Sequence, residues 1–293
     1  MIENPFKDVY ENCNTTDLGN IPEFPYMIDI ELTNYCNFTC QMCPGQQKAN
    51  RPRGHMLDRT WFKLLREASK QKTPIRFVRW GEPTIHPKFV EWVGMAKTEE
   101  LLVHVNTNGS TLAKPKTKML IKRGLNMCDS VKFSFQGVDS ATYFEMRRDS
   151  GFQRLMFDIS AFYQTRRGEK PFVEIATTTN GEDAAEFIRT ASYNSDKVSV
   201  GRTVEFGGKN EGLDPVMKCS EVFSKLSINW DGSVSACCAD YDNLMVVGNL
   251  EDESLEEIWN GHKLKELRRL IATKNHRSHK LCKDCYSYIQ KEG

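Results

Sequence analysis

The sequence has no apolar run approaching the length of a membrane span. Its first residues, MIENPFKDVYENCN, lack the basic-then-apolar layout of a secretion signal. Both absences point to a soluble chain in the cytoplasm. No internal repeat and no low-complexity tract is present, which sets repeat architectures aside. Neither charge is in excess: 40 Lys and Arg face 39 Asp and Glu. That balance creates no field to draw in nucleic acid, so a nucleic-acid partner is not expected. One local departure is His262 to Lys283, with eight Lys and Arg against one Glu, which reads as a solvated helix face. With 39% apolar residues over 293 positions, the chain can bury the core of one large domain, or of a medium domain and a small one.

What is present in quantity is cysteine, ten residues in all. In a reducing compartment these are not expected to form disulfides. Cys36, Cys40 and Cys43 lie within eight residues, whereas Cys219, Cys237, Cys238, Cys282 and Cys285 fall in the last part of the chain. Cys13 and Cys128 stand apart from both groups.

Between Met27 and Glu205, short apolar runs alternate with helical patterns. Residues 27–33 read as a strand with Ile28, Ile30 and Leu32 on one face. Further strands are expected at 75–80, 101–107, 131–136, 172–178 and 197–206. Asp58 is placed to cap a helix through Lys70, with Trp61, Leu64 and Leu65 as its apolar stripe. Other helices are expected at 87–98, 111–124 (ending on Gly124 as a C-cap), 139–147, 151–166 and 183–194. Such alternation predicts parallel strands joined by right-handed crossovers. Six units are too few for the eightfold barrel, so the expected fold is α/β, a partial (β/α)6 TIM-like barrel with its functional face at the strands' C-terminal ends. The Gly-rich stretch 207–218 reads as a linker. Beyond it a hairpin turns at Asp231-Gly232, a helix is expected over 255–273, and the chain closes with Cys282 and Cys285. The expected division is therefore an N-terminal extension (1–26), a core (27–206), the linker, and a small α+β C-terminal domain (219–293).

In CNFTCQMC, three and then two residues separate Cys36, Cys40 and Cys43. A loop of this kind can aim three thiolates at three corners of an iron–sulfur cube and leave the fourth iron open. A zinc loop that borrows a fourth ligand is the alternative the spacing allows. Gly81-Glu82-Pro83 follows the second expected strand, and Asn106-Thr107-Asn108-Gly109 follows the third.

Cys-x3-Cys-x2-Cys after a first strand resembles the hallmark of the radical S-adenosylmethionine (SAM) superfamily. The resemblance implies that Cys36, Cys40 and Cys43 hold a 4Fe–4S cluster. Its open iron would bind the amino and carboxylate groups of SAM, and SAM would be cleaved reductively to a 5′-deoxyadenosyl radical. Gly81, Glu82 and Pro83 stand where the family has its GGEP motif, which meets the SAM amino group, with Trp80 replacing the first glycine. Met42 occupies the position of a frequent aromatic residue and would pack on the adenine. Ser134 resembles the serine that hydrogen-bonds the SAM ribose, and Arg147 an arginine near the SAM carboxylate.

Cys219 and Cys237, flanking the hairpin that turns at Gly232, could with Cys282 and Cys285 enclose a second cluster completely, or form a four-cysteine zinc site. Their spacing resembles the twitch domain, the shortened form of the SPASM domain, as found in the 2-deoxy-scyllo-inosamine dehydrogenase subgroup. It implies one auxiliary 4Fe–4S cluster. Cys238 would face away from Cys237 if both lay in a strand. The combined expectation is a SAM-dependent oxidoreductase that dehydrogenates a sugar, cyclitol or similar small metabolite, with an external electron donor of flavodoxin or ferredoxin type. Epimerisation, peptide modification and a non-enzymatic zinc or iron–sulfur module are the alternatives.

Overall fold

The structure is a computed structural model and describes residues 2–14, 18–166, 168, 170–202, 219–283 and 285. Six strands run parallel in consecutive order: β1 (Met27–Ile30), β2 (Ile75–Phe77), β3 (Val103–Thr107), β4 (Ser130–Ser134), β5 (Phe172–Thr179) and β6 (Lys197–Arg202). Helices α1 (Lys7–Asn12) and α2 (Pro44–Gln47) flank β1, and α3 (Asp58–Lys70) leads into β2. The remaining crossovers carry α4 (Phe89–Thr98), α5 (Pro115–Met127), α6 (Ser140–Arg147), α7 (Phe152–Gln164) and α8 (Ala185–Ser192). This is the expected partial (β/α)6 arrangement. The last four residues of the expected sixth strand and the whole linker lie outside the described residues.

The strands are sided as their alternation predicts. Ile28, Ile30, Ile75, Phe77, Val103 and Val105 join the apolar core, where Trp61 of α3 stacks on Trp92 of α4 at 4.9 Å. The opposite faces are polar. Arg76 grips Asp29 with two hydrogen bonds, 2.6 and 2.8 Å. Lys132 pairs with Glu174 at 3.0 Å, and His104 lies between Ser130 and Asn106. An eightfold barrel fills this space with branched apolar side chains; here it is a charged interior. Phe6 and Tyr10, from the N-terminal segment, close it from below. The Phe6 ring meets that of His104 at 5.6 Å, and the Tyr10 ring lies 5.7 Å from the Arg76 guanidinium.

The C-terminal segment continues the same sheet. After α9 (Glu221–Ser224), β7 (Lys225–Ile228) pairs parallel with the free side of β1, in register from Met27↔Lys225 to Ile30↔Ile228. Strands β8 (Ser233–Ser235) and β9 (Val246–Asn249) then extend the sheet antiparallel. The full order is β6-β5-β4-β3-β2-β1-β7-β8-β9. Gly232 takes the positive φ of 84° that the β7–β8 turn requires. Helices α10 (Leu255–Trp259), α11 (His262–Ala272) and α12 (Lys280–Lys283) complete the chain.

Three local expectations need correction. Asp58 opens α3 as its first residue and does not cap it; its carboxylate pairs with Lys88 at 2.6 Å. The helix expected over 255–273 is two helices, broken at Asn260-Gly261. Arg268, in the basic stretch, is buried over the Trp259 ring at 4.1 Å and donates to the Val222 and Trp259 carbonyls. Gly124 is not a C-cap, because α5 runs on to Met127. Its role is close packing: a Cβ there would sit 3.0 Å from both Phe89 and Val90 of α4.

Gly94, in α4, meets nothing nearer than 3.9 Å at the same test. Urea denaturation should therefore show Gly124→Leu destabilising by about 1–3 kcal/mol through overpacking. Gly94→Ala should stabilise by roughly 0.5–1 kcal/mol, since the helix gains propensity without a clash.

Candidate functional site

The first thiol group hangs from the C-terminal end of β1. The Thr33 hydroxyl donates to the Gly54 carbonyl at 2.7 Å, and the Asn34 amide clasps Pro52 and Gly54, fixing where the loop departs. Cys36, Cys40 and Cys43 are all partly exposed. Burial pushes the Cys36 thiol up to about 12 against a hydrogen bond from the Phe38 backbone, and Glu82, Cys40 and Cys43 push the same way. Burial, with Cys40 nearby, also raises Cys43, which Arg147 opposes. The three thiols therefore sit within one another's fields. Cys43 opens α2, where its carbonyl accepts from the Gln46 and Gln47 amides, and Met42 beside it is half-buried.

Several elements hold this loop. The Gln41 amide donates to the Met146 carbonyl at 2.9 Å. The Arg147 guanidinium lies 5.1 Å from the Phe38 ring centre, and its Nε donates to the Phe135 carbonyl at 2.8 Å. Arg147 Nη2 is buried and has no hydrogen-bond partner among the described residues. The Asn108 amide donates to Cys36 Sγ at 3.8 Å and to Asn37 Oδ1 at 3.0 Å. The Asn106–Gly109 stretch, which ends β3 with Gly109 at a positive φ of 74°, thus also contacts the cysteine loop.

Gly81 faces the root of the cysteine loop. A Cβ at Gly81 would lie 1.9 Å from the Thr33 carbonyl oxygen, so only glycine fits. The Glu82 amide donates to the Tyr35 carbonyl at 2.9 Å. The Glu82 carboxylate turns inward. Its Oε1 accepts from the Thr84 amide and from the Thr84 and Thr107 hydroxyls, and its Oε2 accepts from the Asn108 amide at 2.7 Å. Burial still raises its pKa, which those hydrogen bonds oppose. The side chain thus clamps the β2 and β3 ends together, and the backbone around it is what faces the cysteine loop. Pro83 starts a short 3-10 turn. Ser134 lies at the C-terminal end of β4, half-buried, with no hydrogen bond to its hydroxyl among the described residues.

The second thiol group lies across β7. Burial pushes Cys219 up to about 12, with Glu221, Cys285 and Cys282 adding to it. Burial, reinforced by Cys285, likewise takes Cys282 up to about 12. Cys237 is raised by a hydrogen bond with Cys238, by burial, and by Glu221 and Cys219. Cys219 thus lies within the fields of Cys282 and Cys285, and Cys237 within that of Cys219. Cys238 is not turned away: β8 ends at Ser235, the following residues form a turn, and strand alternation does not apply. Asp240 shapes that turn by accepting from the Ser235 hydroxyl and the Leu244 and Met245 amides. Cys128 is buried elsewhere and donates to the Gly124 carbonyl, and Cys13 is buried near Ser224 and Lys225. None of the ten cysteines is in a disulfide. Among the described residues no three His, Cys, Asp or Glu side chains are gathered as tightly as ligands of one ion.

Between the two groups lies a buried polar knot that sequence reasoning missed. Arg51 Nη2 donates to Glu31 Oε2, and Arg51 Nη1 to Asn229 at 3.2 Å. Arg79 donates to Asn229 at 2.9 Å and to the Asp240 and Cys237 carbonyls at 2.9 and 3.3 Å. Its backbone φ is 122°, a region that costs a non-glycine residue about 1–3 kcal/mol. The signal in the sequence was Asp29 and Glu31 alternating with Ile28, Ile30 and Leu32: one strand face too charged for an ordinary core.

Two sulfur-rich groups flanking one sheet suit iron–sulfur clusters by donor chemistry. The unpartnered Arg147 nitrogen suits an anionic group. Comparison with known families decides the matter: residues 30–157 match the radical SAM superfamily, and residues 219–286 match SPASM, an iron–sulfur cluster-binding domain. The chain is a radical SAM enzyme. Its cofactors are accordingly SAM, a 4Fe–4S cluster, and further iron–sulfur chemistry in the SPASM segment.

Among curated proteins, the chain is 22% identical over 270 residues to the S-adenosyl-L-methionine-dependent 2-deoxy-scyllo-inosamine dehydrogenase of Niallia circulans, covering 88% of this chain and 92% of that one. It is 30% identical over 121 residues to the PqqA peptide cyclase of Gluconobacter oxydans, but the match spans 41% of this chain and only 33% of the relative. Among solved structures, BtrN in complex with AdoMet and 2-DOIA superposes with a TM-score of 0.63 at 19% identity, covering 89% of this chain and 93% of that one. The last likeness establishes the fold, a partial TIM barrel. The described residues include no helix long and apolar enough to cross a membrane.

Glu82→Gln would leave an amide facing donors that now meet a carboxylate. Urea denaturation before any cofactor is added should show a loss of about 1–3 kcal/mol, the cost of an unsatisfied buried donor. An unchanged midpoint would show that the clamp does not hold the two strand ends.

Proposed function

We propose that this enzyme oxidises an alcohol or amine carbon of a sugar, cyclitol or related small metabolite, using SAM at one thiol group and an auxiliary cluster at the other. Cys36, Cys40 and Cys43 would hold the catalytic 4Fe–4S cluster and leave one iron for SAM. Cys219, Cys237, Cys282 and Cys285 would hold a second 4Fe–4S cluster with no iron left open. When bound, these groups supply one electron that cleaves SAM to methionine and a 5′-deoxyadenosyl radical able to take a substrate hydrogen atom, and a sink for the electron released as the substrate radical loses a proton. The division into extension (1–26), core (27–206), linker (207–218) and C-terminal domain (219–293) belongs to this reading. So do the cytoplasmic setting and an external flavodoxin- or ferredoxin-type donor.

The observation that carries the reading is that thiols gather in two separate groups, Cys36, Cys40 and Cys43 on the β1 loop and Cys219, Cys237, Cys282 and Cys285, with Cys238 beside them, on the C-terminal segment; three ligands would leave a position open at the first site and four would close the second. The chain's own residues support the roles. Asn108 donates toward Cys36 Sγ, which stabilises negative charge on that sulfur. Gln46 donates to the Trp80 carbonyl at 2.8 Å and fastens α2 to the Gly81 loop. Gly81 lets that loop lie against the cysteine loop, where its backbone carbonyls would meet an incoming ammonium. Arg147 Nη2 is available to a carboxylate, and the Ser134 hydroxyl to a ribose. Similarity to the Niallia circulans dehydrogenase along nearly its whole length favours a small-molecule substrate. Peptide modification is the second reading, favoured by the PqqA peptide cyclase match but over a third of that protein. Cys238, whose thiol meets that of Cys237, is the group that epimerisation could use as a hydrogen donor.

Anaerobic reconstitution should give about eight irons per chain, two cubes of four, and SAM-dependent 5′-deoxyadenosine. Alanine at Cys36, Cys40 and Cys43 should halve the iron and abolish deoxyadenosine. Alanine at Cys219 and Cys282 should also halve the iron yet leave SAM cleavage intact. Zinc in place of iron at the second site, or deoxyadenosine formation without the first three cysteines, would refute the reading.

A further inference from the structure

We propose that Arg79 is a positioning residue that ties the two thiol sites together and places a fixed positive charge beside the second, making the acceptor held there easier to reduce. This rests on the reading that Cys219, Cys237, Cys282 and Cys285 hold an iron–sulfur cluster.

The placement is unusual in three independent ways. Arg79 directly precedes Trp80-Gly81-Glu82, so its backbone sets the direction in which the first site's loop leaves β2. Its φ of 122° is one that glycine adopts readily and arginine does not. Its side chain is only 1% exposed, although arginine is rarely buried so fully without partners. The partners are what hold this conformation. All three hydrogen bonds from its guanidinium go to the C-terminal segment: Asn229 Oδ1 at the end of β7, and the carbonyls of Cys237 and Asp240 in the cysteine turn. One residue of the core thus grips both ends of the β7–β8 excursion that carries Cys237.

Among the described residues the charges near Arg79 and the cysteine turn include Glu31, Arg51, Asp29, Asp240, Glu221 and Lys225. Arg79 Nε lies 3.8 Å from Glu31 Oε2, and Glu31 also pairs with Arg51. Asp240 has its carboxylate committed to Ser235, Leu244 and Met245 on the far side of the turn. Charges of both signs are thus packed together in a region largely closed to water, and Arg79 is the cation whose hydrogen bonds reach the cysteine turn. Without Arg79, the turn bearing Cys237 would lose the cation bonded to its carbonyls, and the field there would become more negative by one charge. In a medium of low polarity such a change acts strongly on a nearby redox group. Charge and hydrogen bonding near the sulfurs are recognised levers on cluster potential. The carbonyl of Cys237, polarised by the guanidinium, is the point of contact.

The test is an anaerobic redox titration followed by electron paramagnetic resonance of both clusters in the reconstituted holoenzyme. Iron content and thermal midpoint are recorded for every variant. Arg79→Gln should move the second cluster's midpoint to more negative potential and leave the first cluster's potential in place. Arg79→Lys keeps the charge but not the fork, and should restore most of the shift. Equal effects from Gln and Lys would mean that the residue acts only as a strut, and no shift in either would remove its electrostatic role; both overturn the proposal. If Arg79→Gln fails to take up the second cluster, Asn229→Asp sets a carboxylate against the same guanidinium and should shift the midpoint negatively too; an unmoved midpoint there overturns the proposal. A wild-type protein with a single cluster signal would overturn both this inference and the reading beneath it. Two signals with an insensitive potential would overturn this inference alone.

Discussion

Strand β1 has a parallel partner on each side, and the rest of the molecule depends on that. Its pairing with β2 places the cysteine loop beside Gly81 and Glu82, and its pairing with β7 brings onto the same sheet the hairpin that the C-terminal cysteines flank. Cys36, Cys40 and Cys43 follow the C-terminal end of β1, whereas Cys219 precedes β7 and Cys237 follows the antiparallel β8. A strand placed as β1 is must be buried on both faces. Ile28 and Ile30 satisfy one face with the helical layer. Asp29 and Glu31 occupy the other, where only arginine partners make burial tolerable.

That polar interior explains why so many side chains near the sites act indirectly. Glu82 never presents its carboxylate outward; it joins the ends of β2 and β3 and so sets where Asn108 meets Cys36. Arg147 supports the cysteine loop through Phe38 while keeping one nitrogen in reserve. The N-terminal segment seals the opposite end of the interior with Phe6 and Tyr10. Rigid loops set on a charged, closed interior are what radical chemistry requires, since a reactive carbon must be held in place and kept from water.

Much of this was legible in the sequence, for physical reasons. Six strands stood out because apolar residues at period two are hard to mistake when helical stretches separate them. The thiol groups stood out because cysteine is scarce and its spacing carries the chemistry. What escaped depended on tertiary contacts. Gly124 looks like a helix end until α4 packs on it. Cys237 and Cys238 look like strand neighbours until Asp240 folds them into a turn. The parallel β1–β7 pair joins segments almost two hundred residues apart, which local pattern does not reveal. Arg79 gave no sign, because a strained backbone angle is visible only in three dimensions.

The central claim is that one sheet carries two iron–sulfur sites, the first with three thiol ligands and the second with four. Anomalous diffraction at the iron edge from crystals of the anaerobically reconstituted protein tests it most directly. The account predicts two iron-rich peaks, one enclosed by Cys36, Cys40 and Cys43 and one by Cys219, Cys237, Cys282 and Cys285. A single peak, or a second peak that answers at the zinc edge instead, would contradict it.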